Sequence, residues 1–259
     1  MGKSVLVEKK GKVSIIKLNM EKKRNAFEKE LRDDLKAALI KFRDDEESRV
    51  AILTGVGSAF CAGGSLEDMK TGIGPVSAVG HMEEHNDIIL LITNIAKPII
   101  AAVNGAAVGA GWSLAIACDV IIASSNALFM QAFTKVGIAP DMGTLYFLPR
   151  LVGMHKAKEL ILTAKMLNAE EAYQMGAVNH VVNPEELEAR SLAIAEKIAA
   201  GPGFAFALGK SILNRSLESS LDDVLRYETY AQSLALQTED HKEGLKAFYE
   251  KRNPEFHAK

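Results

Sequence analysis

Cys61 and Cys118 are the only cysteines in the 259-residue chain. They lie far apart with no Cys-x-x-Cys spacing, which removes a disulfide framework and a cysteine-rich zinc site from consideration. Reduced thiols and a cytoplasmic location are the expectation. A charge excess of one sign is also missing. The 31 Lys and Arg face 33 Asp and Glu, a formal net charge of −2, and no basic run exceeds Lys22-Lys23-Arg24. No field gathers phosphate backbones, so nucleic acid is not an expected partner. The opening MGKSVLVEKKGK lacks the apolar stretch of a signal peptide, and Leu6 stands where a myristoylation pattern needs Ser or Thr. EFHAK at the other end carries no peroxisomal address, and internal repeats and low-complexity segments are absent.

What the chain has is apolar residues in quantity, 48% of the total. At this length roughly 75% of the unfolded surface can be buried, so the fold needs no staple. One stretch, Ile99 to Cys118, is apolar enough for a membrane window. Its Gly105, Gly109, Gly111 and Asn-Gly turn signal instead predict a buried strand, a loop and a helix, with no membrane as partner. Lys12 to Leu18 reads as a strand. Asn25, with Glu28 three positions on, is expected to cap a helix whose stripe is Phe27, Leu31, Leu35, Leu39 and Phe42. Val50 to Leu53 reads as a buried strand before the loop TGVGSAFCAGGSLEDM, which runs into a short helix. Ser77 to Ile95 and Gly111 to Ala117 read as helices, Ile99 to Val103 and Val120 to Ala123 as strands. This alternation predicts an α/β class with parallel pairing. Beyond Val182 only helices are expected, broken at Gly201-Pro202-Gly203. That break divides a mixed core, residues 1–200, from a helical region, residues 201–259.

The glycine clusters at Gly55 to Gly64 and Gly105 to Gly111 follow strands, but neither is a dinucleotide fingerprint. Phe60 and Leu114 stand where the third glycine belongs, and no Walker loop exists. Single glycines can simply serve packing. Two clusters after adjacent strands can also gather backbone N–H groups around one anionic oxygen, at the positive end of the helix that opens near Gly111. GWSLA, Gly111 to Ala115, falls one residue short of a serine-hydrolase elbow, and no His and acid partners are identifiable. His81 and His85 could share a helix face around a metal, but the intervening glutamates are misplaced for a zincin and no third ligand is evident. A solvated helix face is the expectation there. Asp141, in KVGIAPDMGT, either caps the helix that begins near Gly143 or Thr144 or does chemistry.

Taken together, these motifs resemble the crotonase, or enoyl-CoA hydratase/isomerase, superfamily over nearly the whole chain. FCAGGSLEDM from Phe60 is similar to its first oxyanion loop and KPIIAAVNGAAVGAGWSLAIACDVIIAS from Lys97 to its second. KVGIAPDMGTLYFLPRLVG, MGAVNHVV from Met175 and EGLKAFYEKRNPEF follow in register. The resemblance implies a ββα spiral core with a C-terminal helical trimerisation region, a homotrimer or dimer of trimers, and acyl-CoA thioester substrates. Coenzyme A would be part of the substrate, and no metal or other cofactor is implied. It places the N–H groups of Gly64 and Ala110 on the thioester oxygen. Lys23, Arg24, Ala26, Ala62, Ser65, Leu66 and Phe133 fall at positions for substrate or CoA, although solvated surface charge serves equally for Lys23 and Arg24. The two glutamates of the hydratases correspond to Ser113 and Phe133, neither of which transfers a carboxylate proton. Asp141 is the remaining acid. There the chain looks most like the phenylacetate-pathway ring-epoxide isomerases and some enoyl-CoA isomerases, which implies isomerisation with Asp141 as proton shuttle. Hydration is the alternative. Aryl-CoA dehalogenation, a serine hydrolase and a non-catalytic thioester binder are minor ones.

Overall fold

The computed structural model describes residues 4–65 and 74–258. Strand β1 (Val5–Lys10) pairs antiparallel with β2 (Val13–Leu18). From β2 the sheet continues in parallel through β3 (Val50–Gly55), β5 (Ile99–Val103), β7 (Val120–Ser124) and β10 (His180–Val182). A second sheet is built from short pieces, β4 (Ala59–Cys61), β6 (Ala106–Val108), β8 (Leu128–Met130) and β9 (Leu167–Asn168). Strands β3, β5 and β7 of the first sheet each lead into a short strand of the second and then toward a helix. The successive turns are β3, β4 and α2 (Pro75–Asn94), then β5, β6 and α3 (Ala110–Ile116), then β7, β8 and the pair α4 (Thr144–Val152) and α5 (Met154–Thr163). The chain therefore winds as a ββα spiral of α/β class. The short helix expected beyond Ser65 lies outside the described residues.

Burial on both faces explains the apolar strands. On one face Val13, Ile15, Val50, Ile52, Ile100 and Ile122 pack with Leu187, Ala195 and Ala199 of α7 (Leu187–Ala199). On the other, Ile16, Leu18, Leu53 and Val103 meet Leu31, Leu35, Leu39 and Phe42 of α1 (Lys29–Asp44) and Ile88 and Ile92 of α2. β1 was not expected, since Glu8, Lys9 and Lys10 are all charged and show no apolar alternation. They are exposed on the sheet edge, where charge suits a strand with one unpaired side. The short strands of the second sheet were missed too, since three residues show no period.

Asn25 does not cap α1. The cap position is Glu28, without a side-chain cap bond. Asn25 is fully buried at φ 54°, and its Oδ1 accepts from the Met20 N–H at 2.8 Å. Its Nδ2 donates to the carbonyls of Val56 (3.1 Å) and Ala59 (2.9 Å). The amide thus fastens the turn before α1 to the β3–β4 loop, a task that outweighs one helix cap.

The apolar run 99–118 is divided among β5, β6 and α3. Among the described residues no single helix is long and apolar enough to cross a membrane. Helices 184–199 and 203–216 meet at 104° across the Gly-Pro-Gly break. The tail consists of α8 (Gly203–Ser216), α9 (Leu221–Ala235) and α10 (Glu239–Glu250), which follow α6 (Ala169–Gln174) and α7 in the chain. Lys210 of α8 anchors it: its ammonium lies 2.7 Å from Asp119 and 3.3 Å from the carbonyls of Ile92 and Lys97.

The spiral brings β4 against α3 so closely that a Cβ on Gly111 would overlap the Cys61 carbonyl. Gly80, within α2, has open space around it. Gly111→Ala is expected to lower the unfolding free energy by roughly 1–3 kcal/mol through overpacking, and Gly80→Ala to raise it by about 0.5–1 kcal/mol through helix propensity. Denaturant unfolding of the two variants checks both signs.

Candidate active site

Three loops converge at the start of α3. The turn before α1 and the stretch after β4 are joined by two backbone bonds: the Ala62 N–H donates to the Arg24 carbonyl at 3.0 Å and the Phe27 N–H to the Gly63 carbonyl at 2.8 Å. Gly63, at φ 90°, sits so near the second loop that a Cβ on it would lie 2.6 Å from the Val108 carbonyl oxygen and 3.7 Å from the Ala110 nitrogen. Only glycine allows both that dihedral and that approach. Gly64 follows it and is exposed. Ala110 is the first residue of α3, where N–H groups have no intrahelical acceptor. Among the described residues no backbone carbonyl accepts from it. Gly109 ahead of it donates to the Met130 carbonyl at 2.8 Å, which fixes the loop that leads into α3. Phe133 is buried, and its ring lies 3.8 Å from where a Gly109 Cβ would stand.

Asp141 closes the arrangement from the third loop. Met142 (φ 49°) and Gly143 (φ 77°) both adopt left-handed dihedrals, turning the chain sharply into α4. Met142 is a non-glycine residue held there by full burial. The Asp141 carbonyl accepts from the Thr144 N–H at 3.0 Å. Ser113 Oγ lies 3.4 Å from that same carbonyl, 3.1 Å from the Gly109 carbonyl and 2.5 Å from Thr144 Oγ1. Thr144 Oγ1 in turn donates to Gln131 Oε1 at 3.5 Å. Ser113, Thr144 and Gln131 are fully buried, and through them the Asp141 loop is tied to the glycine that precedes Ala110. The carboxylate itself is left free to react: Oδ1 is buried without a hydrogen-bond partner among the described residues. Desolvation pushes its pKa up to about 6, against a weaker pull from its own backbone N–H. A capping aspartate would spend its oxygens on helix N–H groups. Asp141 does not, and the cap of α4 is Gly143 without a side-chain bond.

Several expectations need correction. Ser113 is no exposed nucleophile on a strand-to-helix elbow; it is sealed within α3 and bonded to backbone and Thr144, so the hydrolase reading fails on geometry. His85 is not on a solvated face. Both of its ring nitrogens are buried and unpartnered among the described residues, and its ring stands 5.6 Å from Phe27 and 4.5 Å from His81. Burial, aided by the Arg32 charge, lowers its pKa to about 3. His85 recurs at helical spacing with Ile88, Ile89 and Ile92, a pattern that marks the buried face in the sequence itself. Gln131 and Thr144 were also missed as partners of Ser113, since nothing in sequence spacing joins three hydroxyl and amide groups from separate loops.

The remaining site residues fall as follows. Lys23 is exposed and paired with Glu28 at 2.6 Å. Arg24 is exposed at φ 51°, and Ala26 lies beside it in the turn bound to Ala62 and Gly63. Ser65 is buried, and Leu66 lies outside the described residues. Cys61 and Cys118 are both free thiols, and burial pushes Cys61 up to about 12. Among the described residues no three His, Cys, Asp or Glu are grouped to hold a metal.

Comparison with known proteins bears on this geometry. The Enoyl-CoA hydratase/isomerase family profile matches residues 8–259. A short-chain-enoyl-CoA hydratase of Clostridium acetobutylicum is 38% identical over 253 residues, covering 97% of this chain and 97% of its own. A 1,2-epoxyphenylacetyl-CoA isomerase of Escherichia coli K12 is 36% identical, with 95% of each chain covered. Among solved structures, an enoyl-CoA hydratase/isomerase of Cupriavidus metallidurans CH34 superposes with a TM-score of 0.94 at 36% identity, over 98% of this chain and 96% of that one. Sequence, spiral fold and full-length coverage agree, and the chain belongs to the enoyl-CoA hydratase/isomerase family of the crotonase superfamily.

Proposed function

We propose that the protein isomerises an enoyl- or ring-epoxide-type acyl-CoA through a thioester enolate, with Asp141 carrying the proton. The observation that bears most weight is the solitary, desolvated Asp141 carboxylate, with Ser113 and Phe133 at the positions where hydratases of the superfamily carry glutamates. The Gly64 and Ala110 amides receive the thioester oxygen. As a base takes the proton from C2, the C–H electron pair moves toward that oxygen, and negative charge grows on the atom these two amides hold in this reading. Asp141, ionised at first, accepts the proton and returns it at C4 of the dienolate, so a C3–C4 double bond becomes C2–C3 with no atom gained or lost. A pKa of about 6 lets one carboxylate serve in both directions near neutral pH. Phe133 keeps water from the dienolate. In this reading Lys23 and Arg24, in the turn with Ala26, are available to the CoA nucleotide, and Ala62, Ser65 and Leu66 belong to the positions for substrate or CoA. Hydration is the second reading, favoured by the name of the Clostridium acetobutylicum relative.

The tail fits an assembling role, with residues 201–259 as the oligomerisation region of a homotrimer or dimer of trimers. Leu213, Leu217 and Leu221 are 71%, 72% and 74% exposed, more apolar surface than one helix pair ordinarily leaves in water.

On 3-enoyl-CoA substrates Asp141→Asn is expected to lose roughly 100-fold or more in kcat/KM, together with deuterium exchange at C2, while Ser113→Ala keeps activity within about tenfold. Wild-type kcat/KM should rise with pH through about 6 as Asp141 ionises and then level off. Hydration of 2-enoyl-CoA that outruns isomerisation and survives Asp141→Asn would establish the hydratase reading instead. Sedimentation of the wild type should give the mass of three or six chains, and Leu217→Glu should shift it toward one; a monomeric wild type contradicts the assembly.

A further inference from the structure

His85 is a buried polar side chain that the chemistry above does not use. It stands on α2 one turn before Ile89, whose Cγ2 lies 3.4 Å from where a Cβ on Gly143 would be, two residues from Asp141. On its other side the ring meets Phe27 at 5.6 Å, and the Phe27 N–H holds the Gly63 carbonyl. The imidazole therefore lies between the first glycine loop and the carboxylate loop.

A neutral imidazole offers one N–H donor and one acceptor nitrogen. Here Nδ1 and Nε2 are both buried without a partner among the described residues. Leaving such groups unpaired costs stability, and the position would hold a leucine or methionine without that cost. The charged group facing the ring from the neighbouring helix is Arg32, which donates to the Phe27 carbonyl at 2.9 Å, and His81 approaches edge-on from α2 itself. Neither hydrogen-bonds the ring. Burial and the Arg32 charge hold the imidazole neutral, so it can exchange hydrogen bonds with an uncharged oxygen but forms no ion pair with a carboxylate.

We propose that His85 is a specificity residue that hydrogen-bonds an uncharged oxygen on the acyl group, which makes the substrate an oxygenated acyl thioester rather than a plain hydrocarbon one. The inference rests on the acyl-CoA reading above and narrows it.

Calorimetric titration of hexanoyl-CoA and its 3-, 4-, 5- and 6-hydroxy derivatives into wild type, His85→Met, His85→Leu and His85→Gln tests it. At least one hydroxy isomer should bind the wild type roughly tenfold more tightly than hexanoyl-CoA, the worth of one or two well-made hydrogen bonds. That preference should vanish in His85→Met and His85→Leu and persist in part in His85→Gln, with hexanoyl-CoA affinity within about threefold throughout. The apolar variants should unfold at the wild-type temperature or above. Hexanoyl-CoA binding with no hydroxy preference, or a preference that His85→Met leaves intact, overturns the role of His85 alone. Failure of the wild type to bind hexanoyl-CoA at all overturns the acyl-CoA reading and this inference with it.

Discussion

Two main-chain loops meet with no side chain between them, and the site exists because of that contact. Gly111 lies under the Cys61 carbonyl and Gly63 under the Val108 carbonyl, so the stretch after β4 and the first turn of α3 approach as closely as bare backbone can. Neutral amides gathered this way are permanent dipoles held by strands and a helix. They need no reorganisation when charge develops, which is what makes such donors effective in a water-poor cleft. The parallel pairing of β4 with β6 sets the register of the contact, and the bonds from Ala62 to Arg24 and from Phe27 to Gly63 extend it to the turn before α1. Fold and site are here one construction: each turn of the spiral ends a short strand where the next loop can reach it.

The same neighbourhood carries costs that the rest of the core offsets. Met142 adopts a left-handed backbone, the Asp141 carboxylate sits desolvated, and the nitrogens of His85 go unpaired among the described residues. Departures of this kind gather at functional sites, where a group held ready for a ligand cannot also be satisfied by the protein. Around them the polar groups are tied down. Ser113, Thr144 and Gln131 form a buried chain that links the Asp141 carbonyl to Gly109, so the acid and the second glycine loop share one support. Ser113 thus has a structural task.

Much of this was legible in the residues. Four strands of the parallel run, the stripe of α1 and the helical tail follow from periodicity, and the ordered motifs from Phe60 to Phe256 carried the family; β10, three residues long, was not expected. What periodicity could not reach were elements too short to have a period, namely β4, β6 and β8, although these position the donors. Asn25 was misread because its side chain satisfies groups thirty residues away, a partner no local capping rule can see. Asp141 was ambiguous for a similar reason: capping and catalysis call for the same residue after the same proline, and only the unpartnered Oδ1 separates them. His85 was legible through its spacing with Ile88, Ile89 and Ile92, but the short-range pairing with His81 drew attention to the wrong face.

The central claim is that main-chain donors polarise a thioester carbonyl. Infrared difference spectra of a bound acyl-CoA labelled with carbon-13 at the carbonyl test it directly, comparing wild type with Ala110→Pro. Proline is tolerated at the first position of a helix and replaces the N–H in question with a ring methylene. The account predicts a carbonyl stretch displaced to lower frequency in the wild type and returned toward its solution value in Ala110→Pro. An unshifted band in the wild type, or an equal shift in both proteins, contradicts it.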